Sequence, residues 1–136
     1  MAYTIMGDSV NLGSRIEGLT KNYGVDIIVS EYVKAQVPDM LYRELDTVRV
    51  KGKDVAVTIY ELVGKLGQVD AIKMKQLDLY AEALKSYKKQ DWQTAEKQFK
   101  QLDESSLQNL YLARIKQFKQ IPPPKNWDGI FTYETK

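Results

Sequence analysis

Two neighbouring segments of alternating apolar and polar residues constrain the fold of this chain more than any other feature. They are LYRELDTVRVKG, beginning at residue 41, and VAVTIYELVG, beginning at residue 55. Alternation in period two is typical of strands that bury one face. Gly52-Lys53-Asp54 provides a turn between the two segments. The sequence therefore predicts an antiparallel β-hairpin in this part of the chain.

The residues at the start of the chain predict a strand followed by a helix. AYTIM, residues 2–6, favours a short strand that arrives at Gly7-Asp8-Ser9, where Asp8 or Ser9 can cap a helix. Apolar residues then recur at helical spacing: Leu12, Ile16, Leu19 and Tyr23. Gly24 supplies the left-handed residue that commonly ends such a helix.

A second strand and a short helix lead into the hairpin. VDIIVS, residues 25–30, is a β-branched run that predicts a buried strand. SEYVKAQV follows, with Ser30 as the expected cap and Pro38 just beyond the helix. The predicted order is strand, helix, strand, helix, strand, strand. This order is an α/β (α+β) arrangement that ends in a hairpin.

Beyond a linker from Gly64 to about Gln68, the pattern is helical. DAIKMKQLDLYAEALKSYKKQ and DWQTAEKQFKQL predict two helices, the second capped by Asp91, and a third is expected over residues 105–119. The expected apolar stripes are Ile72, Leu79, Ala83 and Tyr87; Trp92, Ala95, Phe99 and Leu102; and Leu107, Leu110, Tyr111 and Ile115. We therefore expect two domains, residues 1–64 and a small all-α extension over residues 65–136.

The first two helices resemble a tetratricopeptide unit, through Ala83, Tyr87, Trp92, Ala95 and Phe99. One such unit cannot bury its apolar face alone, so it packs on a neighbouring chain, on the α/β part or on the third helix. Three prolines at 122–124 end the helices and leave KNWDGIFTYETK as an extended tail. The residues expected to anchor this tail are Trp127, Phe131 and Tyr133.

Composition excludes several kinds of site. The 136 residues include no cysteine and no histidine, so a metal site in this chain would have to use carboxylates. The net charge of +2 is too small to indicate a nucleic-acid surface. No apolar run is long enough to span a bilayer. We expect neither a nucleic-acid partner nor direct membrane contact.

Three polar residues are candidates for binding a phosphorylated ligand. Asn11 and Arg15 lie four residues apart and therefore share one face of the predicted helix. A guanidinium suits phosphate oxygens, and Lys51, at the hairpin turn, can reach a phosphate as a point charge. Spacing alone leaves plainer alternatives open. Arg15 and Asn11 are then ordinary helix-surface residues, and Lys51 belongs to a basic hairpin turn.

Taken together, the segments resemble the C-terminal half of a class III adenylate/guanylate cyclase catalytic domain. The resemblance covers about residues 3–63, through YTIMGDSVNLGSRIEGLTKNYGVDIIVSE, RELDTVRVKGK and VTIYELVG. Its core is the pattern G-D-x-V-N-x-x-x-R, followed 36 residues after the arginine by the lysine of V-K-G-K. A pattern of this length is far more specific than a single short motif. The implied fold is a partial ferredoxin-like domain.

The resemblance implies a role for each candidate residue. Asn11 matches the asparagine that contacts the ribose in the transition state, and Arg15 matches the arginine that stabilises charge on the α-phosphate. Lys51 matches the lysine that holds the terminal phosphates. Thr4, seven residues before Asn11, matches the position that selects the purine. Threonine at this position goes with adenine, so the expected substrate is ATP.

The resemblance also implies what these residues need from elsewhere. In the family, Mg²⁺ or Mn²⁺ is held by two aspartates in the N-terminal half of the domain, and no residue here matches them. Family active sites form between two catalytic domains, so we expect a second such domain, in a homodimer, and a cytoplasmic location. We expect the chain to be a fragment that is inactive alone. The alternatives are a non-enzymatic helical interaction module with a cyclase remnant, and a guanylate cyclase.

Overall fold

The computed structural model describes residues 4–6, 19–50 and 56–133. The described residues form two compact units. The sheet unit contains the described residues up to Val69 together with those from Ile130 onward, and the helical unit runs from Asp70 to Gly129. The chain thus leaves the sheet unit, forms the helical unit and then returns to the sheet unit.

The sheet unit contains a mixed sheet of five strands in the order β1-β2-β4-β3-β5. β1 pairs parallel with β2, β3 pairs parallel with β5, and the two remaining pairings are antiparallel. The strands are β1 (Thr4–Met6), β2 (Ile27–Ser30), β3 (Met40–Val50), β4 (Ala56–Lys65) and β5 (Phe131–Tyr133). The predicted hairpin of β3 and β4 and the mixed α+β class are confirmed.

Two short helices belong to the same unit, α1 (Leu19–Tyr23) and α2 (Glu31–Gln36). Gly24 ends α1 as predicted, with φ of 71° and its N–H donating to the Thr20 carbonyl at 2.9 Å. The predicted cap of α2 is confirmed, because the Ser30 hydroxyl accepts from the Val33 N–H at 3.3 Å. The earlier turns of the first predicted helix, with Asp8 and Ser9, lie outside the described residues.

The two helices lie against opposite faces of the sheet. Tyr23 of α1 donates a hydrogen bond to Asp46, which is paired with Ile59 in β4. The next residue of β4, Tyr60, points to the other face, because side chains alternate along a strand. Lys34 of α2 lies over the Tyr60 ring, 5.1 Å from its centroid. Apolar residues are buried on both faces: Val25, Ile28, Val29, Leu45, Val48, Val57 and Ile59.

The helical unit consists of α3 (Ala71–Lys88), α4 (Trp92–Lys100) and α5 (Ser106–Gln120). A side-chain oxygen caps each helix by accepting from the N–H three residues later. The capping residues are Asp70, Asp91 and Ser105. The predicted cap at Asp91 is confirmed.

Packed aromatic rings form the core of the helical unit. Phe99 and Tyr111 stack at 4.9 Å with an interplanar angle of 5°, and Tyr87 meets Tyr111 edge to face at 4.9 Å. These contacts join all three helices, so α5 covers the apolar face of the α3–α4 pair. The sequence left three possible packing partners for this pair of helices, and the third helix was one of them.

The predicted stripe on α3 is wrong at its first position, because Ile72 is 79% exposed. The buried residues of α3 are all in its second half: Tyr80, Ala83, Leu84 and Tyr87. At 18 residues, α3 is twice as long as α4, which has 9. A helix rises about 1.5 Å per residue, so α4 is only about half the length of α3. Most of the first half of α3 consequently stays exposed.

The tail after the prolines contacts each unit through a different segment. Trp127 lies in the helical unit, where its ring is 5.6 Å from Tyr87 and 5.3 Å from Phe118, which confirms it as an anchor. Gly129 has φ of 80°. A side chain is strained in that conformation, and the backbone turns there just before β5. Phe131 begins β5 in the sheet unit.

Candidate functional site

The two segments that carry the candidate residues leave the sheet at the same end. β1 is parallel to β2, and both β2 and β3 pair antiparallel with β4, so β1, β2 and β3 run in the same direction. Thr4 begins β1, level with Ile27. Lys51 directly follows Val50, the last residue of β3. Asn11, Arg15 and Lys51 themselves lie outside the described residues.

The hairpin projects beyond β1 and β2 at that end. Met6, the last residue of β1, is level across the sheet with Val29, Tyr60 and Glu44. From Glu44, β3 continues to Val50 over five steps of register, because Glu44 and Asp46 face successive residues of β4, a distance of about 17 Å at roughly 3.3 Å per residue. Val50, the last described residue before Lys51, thus lies well beyond the end of β1.

A buried polar contact fixes α1 against the hairpin. The Tyr23 hydroxyl donates to Asp46 Oδ2 at 2.6 Å, and Asp46 Oδ1 accepts from the Thr47 N–H at 3.0 Å. Tyr23 is 0% exposed and Asp46 is 2% exposed. This contact joins α1, the described end of the helix predicted to carry Asn11 and Arg15, to the strand before Lys51.

Asp46 was not among the residues that the sequence marked as candidates. β3 has a register shift between Glu44 and Asp46, so Leu45 is an extra residue and both Leu45 and Asp46 are buried. This irregularity breaks the period-two alternation on which the strand prediction depended. An aspartate directly after an apolar residue within a predicted strand was the available signal.

An ion pair joins the two hairpin strands beside β2. Arg43 and Glu61 are direct cross-strand partners, and the Arg43 Nε donates to Glu61 Oε1 at 2.8 Å. The side chains are 15% and 16% exposed. Opposite charges at directly paired positions stabilise a strand pair, and this contact lies in the middle of the sheet.

A cation lies over two tyrosine rings on the α2 face. Lys34 Nζ is 5.6 Å from the centroid of Tyr42 and 5.1 Å from that of Tyr60. Burial raises the pKa of Tyr60, and the carboxylates of Glu44 and Glu31 raise it further. Tyr60 therefore stays protonated at neutral pH.

The divalent metal that the resemblance implies would be held by carboxylates. In the described ranges, no three aspartate, glutamate, histidine or cysteine residues come close enough together to hold a metal ion. The resemblance itself assigns no metal ligand to this chain. In the same ranges, no helix has the length and apolar character needed to cross a membrane.

Comparison with curated proteins gives four matches, and all four are named as adenylate cyclases or as an adenylate cyclase subunit-like protein. Adenylate cyclase 1 of Rhizobium meliloti is 45% identical over 71 residues, 52% of this chain. The adenylate cyclase of Anabaena cylindrica is 48% identical over 63 residues, 43% of this chain. The terminal-differentiation-specific adenylate cyclase of Dictyostelium discoideum is 35% identical over 100 residues, 70% of this chain.

The matched stretches make up only 11%, 12% and 5% of those three relatives, in the same order. No protein-family profile matches the chain. No solved structure matches it either. The chain thus contains a region related to adenylate cyclases, and that region corresponds to a small part of each relative.

Proposed function

We propose that this chain supplies the transition-state and phosphate-binding residues of a class III adenylate cyclase, which converts ATP to cyclic AMP and pyrophosphate. The observation that carries the proposal is the relation to several adenylate cyclases at 35–48% identity. The strand directions give further support, because the segments that carry the motif and the lysine leave one end of the sheet.

In the proposed reaction, the ribose 3′-oxygen attacks the α-phosphorus and pyrophosphate leaves. Negative charge then accumulates on the phosphate oxygens. Arg15 is the proposed group that stabilises this charge in the transition state, and Asn11 orients the ribose. In other phosphoryl-transfer enzymes an arginine in such a role contributes roughly 10³-fold or more to the rate.

Substrate selection is proposed for two further residues. Lys51 holds the terminal phosphates from the hairpin turn, and Thr4 reads the adenine ring. Thr4 lies at the start of β1, which pairs only with β2 in the described sheet. The guanylate cyclase alternative differs only in the purine that is selected, since it requires guanine to be bound in preference to adenine.

Catalysis is proposed to need a second catalytic domain, in a homodimer, which contributes the aspartates that bind Mg²⁺ or Mn²⁺. We propose that the 136 residues alone do not turn over ATP, and that the protein acts in the cytoplasm. Neither proposal includes a step at the metal, because the resemblance assigns no metal ligand to this chain.

The helical unit is proposed to be a tetratricopeptide-like part of the cyclase. An alignment over 70% of a 136-residue chain cannot be confined to the part before Asp70, so the Dictyostelium match includes residues of the helical unit. This observation favours a helical unit that accompanies the cyclase region over an independent interaction module.

The proposal is tested by nucleotide binding to the full chain, measured by the fluorescence of a labelled ATP analogue with Mn²⁺. Lys51→Ala should weaken binding about tenfold, which corresponds to loss of one charged phosphate contact. Lys53→Ala, two residues away, is the matched control and should bind normally. Equal affinities for the two variants would refute the role of Lys51, and preference for a GTP analogue would refute the choice of adenine.

Turnover is tested separately, by pyrophosphate release from ATP and Mg²⁺. The chain alone should release none. If the chain alone did turn over ATP, and this turnover were lost in Arg15→Ala but kept in Lys21→Ala, the need for a second catalytic domain would be disproved. The same result would support the role of Arg15.

A further inference from the structure

The end of the hairpin that leads to Lys51 extends past β2, the strand beside β4. β2 pairs with β4 only from Ile28↔Glu61 to Ser30↔Ile59. Beyond this point β3 and β4 continue together from Thr47↔Thr58 to Arg49↔Ala56. Without another strand, this end of the hairpin would be a two-stranded ribbon, and such ribbons are marginally stable in water.

One side chain substitutes for β2 at the point where it stops. The Glu31 carboxylate accepts a hydrogen bond from the Thr58 N–H at 3.0 Å, directly after the last β2 pair. The Thr47 and Thr58 hydroxyls also lie 2.9 Å apart across the hairpin. These contacts stabilise the projecting end where it begins, at Thr47 and Thr58. The last residues of β3 before Lys51 are stabilised by a different element.

That element is β5. It pairs with β3 at Val48↔Phe131, Arg49↔Thr132 and Val50↔Tyr133. β3 has 11 residues, and β5 pairs with the last three of them, directly before Lys51. The register also places Phe131 beside Val48, which is 1% exposed. β5 makes the projecting end three-stranded.

We infer that β5 is a positioning strand for the proposed phosphate-binding turn, so that the tail beyond the helical unit controls where Lys51 is held. The inference rests on the proposed role of Lys51. It adds that nucleotide binding depends on a segment separated from Lys51 by some 80 residues of sequence. Because β5 follows the helical unit in the chain, a ligand or strain that pulls the tail would act on the same turn.

The experiment combines substitutions in β5 with substitutions at the turn, in the full chain. The double substitution Phe131→Pro with Thr132→Pro removes two successive backbone N–H groups of β5. Successive N–H groups of a strand point to its two opposite edges, so one of the two faces β3 and its hydrogen bond is lost. Thr132→Val is the control, since valine is well tolerated in strands. Amide hydrogen exchange and binding of the labelled ATP analogue are measured on each variant.

The proline pair should speed amide exchange at residues 47–50 and 56–58 about tenfold or more, and leave residues 28–30 unchanged. It should weaken nucleotide binding about as much as Lys51→Ala does. A triple variant that combines Phe131→Pro, Thr132→Pro and Lys51→Ala should bind no more weakly than Lys51→Ala alone, because the prolines act only through Lys51. Unchanged exchange at 47–50, or losses that multiply in the triple variant, would overturn the inference while leaving the role of Lys51 intact. Normal binding by Lys51→Ala would instead refute that role.

A second pair of substitutions covers the case in which the prolines unfold the whole unit, which faster exchange at residues 28–30 would reveal. Arg49→Cys with Thr132→Cys places two cysteines at directly paired positions in a chain that has no others. Neighbouring strands lie about 4.8 Å apart, which is within the Cα range of disulfides. Oxidation should slow exchange at residues 47–50, and reduction should reverse it. Failure to cross-link, or exchange that does not respond, contradicts the positioning role.

Discussion

The sheet unit and the helical unit are stabilised by different kinds of contact. Within the described residues, the sheet unit buries a hydroxyl–carboxylate pair, Tyr23 and Asp46, and nearly buries an ion pair, Arg43 and Glu61. The helical unit buries mainly stacked and edge-to-face rings, together with the Gln108 amide that donates to the Phe99 and Leu102 carbonyls, and the ion pair Glu96–Lys119 lies at its surface. Directional contacts fix a geometry, whereas ring packing mainly supplies stability.

This difference agrees with the proposed division of work between the units. The directional contacts of the sheet unit surround the strands and helix that lead to the candidate residues. The helical unit carries no candidate catalytic residue. We therefore expect substitutions in the two units to differ in the size of their effect and in its dependence on pH and salt.

The largest effect is expected from the ring core. Phe99 is 0% exposed and stacks on Tyr111, so Phe99→Ala should lower the free energy of unfolding of the helical unit by about 3–5 kcal/mol. Ile72→Ala is the control, because Ile72 is 79% exposed and its substitution should change stability by less than about 0.5 kcal/mol. Urea denaturation followed by circular dichroism measures both. Similar losses for the two variants would contradict the ring core.

A smaller effect is expected from the buried polar contact of the sheet unit. Tyr23→Phe removes the hydroxyl that donates to Asp46, and should cost about 1–3 kcal/mol because a buried carboxylate loses a partner. Tyr32→Phe removes a hydroxyl from a side chain that is 45% exposed and should be close to neutral. Urea denaturation again provides the measurement. A neutral Tyr23→Phe would show that the contact does not fix α1.

The two ion pairs offer a direct comparison between the units. A double-mutant cycle with Arg43→Met and Glu61→Gln should give a coupling of about 1 kcal/mol, because both side chains are largely shielded from water. The matching cycle with Lys119→Met and Glu96→Gln should give a smaller coupling that salt removes, since these side chains are 41% and 33% exposed. Equal couplings would remove the distinction between the units.

The smallest effect concerns the titration of Glu96. Its hydrogen bond from Lys119 lowers the pKa of this carboxyl, and the Lys100 charge lowers it further. A lowered folded-state pKa stabilises the fold above the unfolded pKa, and this contribution is lost as pH falls through the folded pKa. Lys119→Ala should therefore raise the pKa toward the ordinary value, as measured by NMR titration. Lys100→Ala should raise it less, and an unchanged pKa in Lys119→Ala would exclude the contact in solution.

Local signals in the sequence predicted much of this fold. Ser30, Asp91 and Gly24 act at helix ends through neighbours three or four residues away, so the sequence next to them was sufficient. The pairing of β5 with β3 was not predicted, because strand pairing over so long a separation leaves no local pattern. Ile72 was misplaced because its burial depends on the length of α4, not on the periodicity of α3.

The candidate site was predictable in a different way. The resemblance supplied Thr4, Asn11, Arg15 and Lys51 with their roles, and these roles stay predictions. The contacts around them required the structure. The Tyr23–Asp46 hydrogen bond depends on a register shift in β3, and an extra residue in a strand has no reliable signature in a single sequence.

The position of β5 after the helical unit has a consequence for synthesis on the ribosome. Strands β1 to β4 and all five described helices emerge before Phe131 does. The helical unit is continuous in sequence and each of its helices has its own cap, so it can fold as soon as it leaves the exit tunnel. The sheet must wait for its fifth strand. A nascent chain whose residues up to Ile130 have left the tunnel, with Phe131 still inside it, would thus carry a helical unit that can fold and an unfinished sheet.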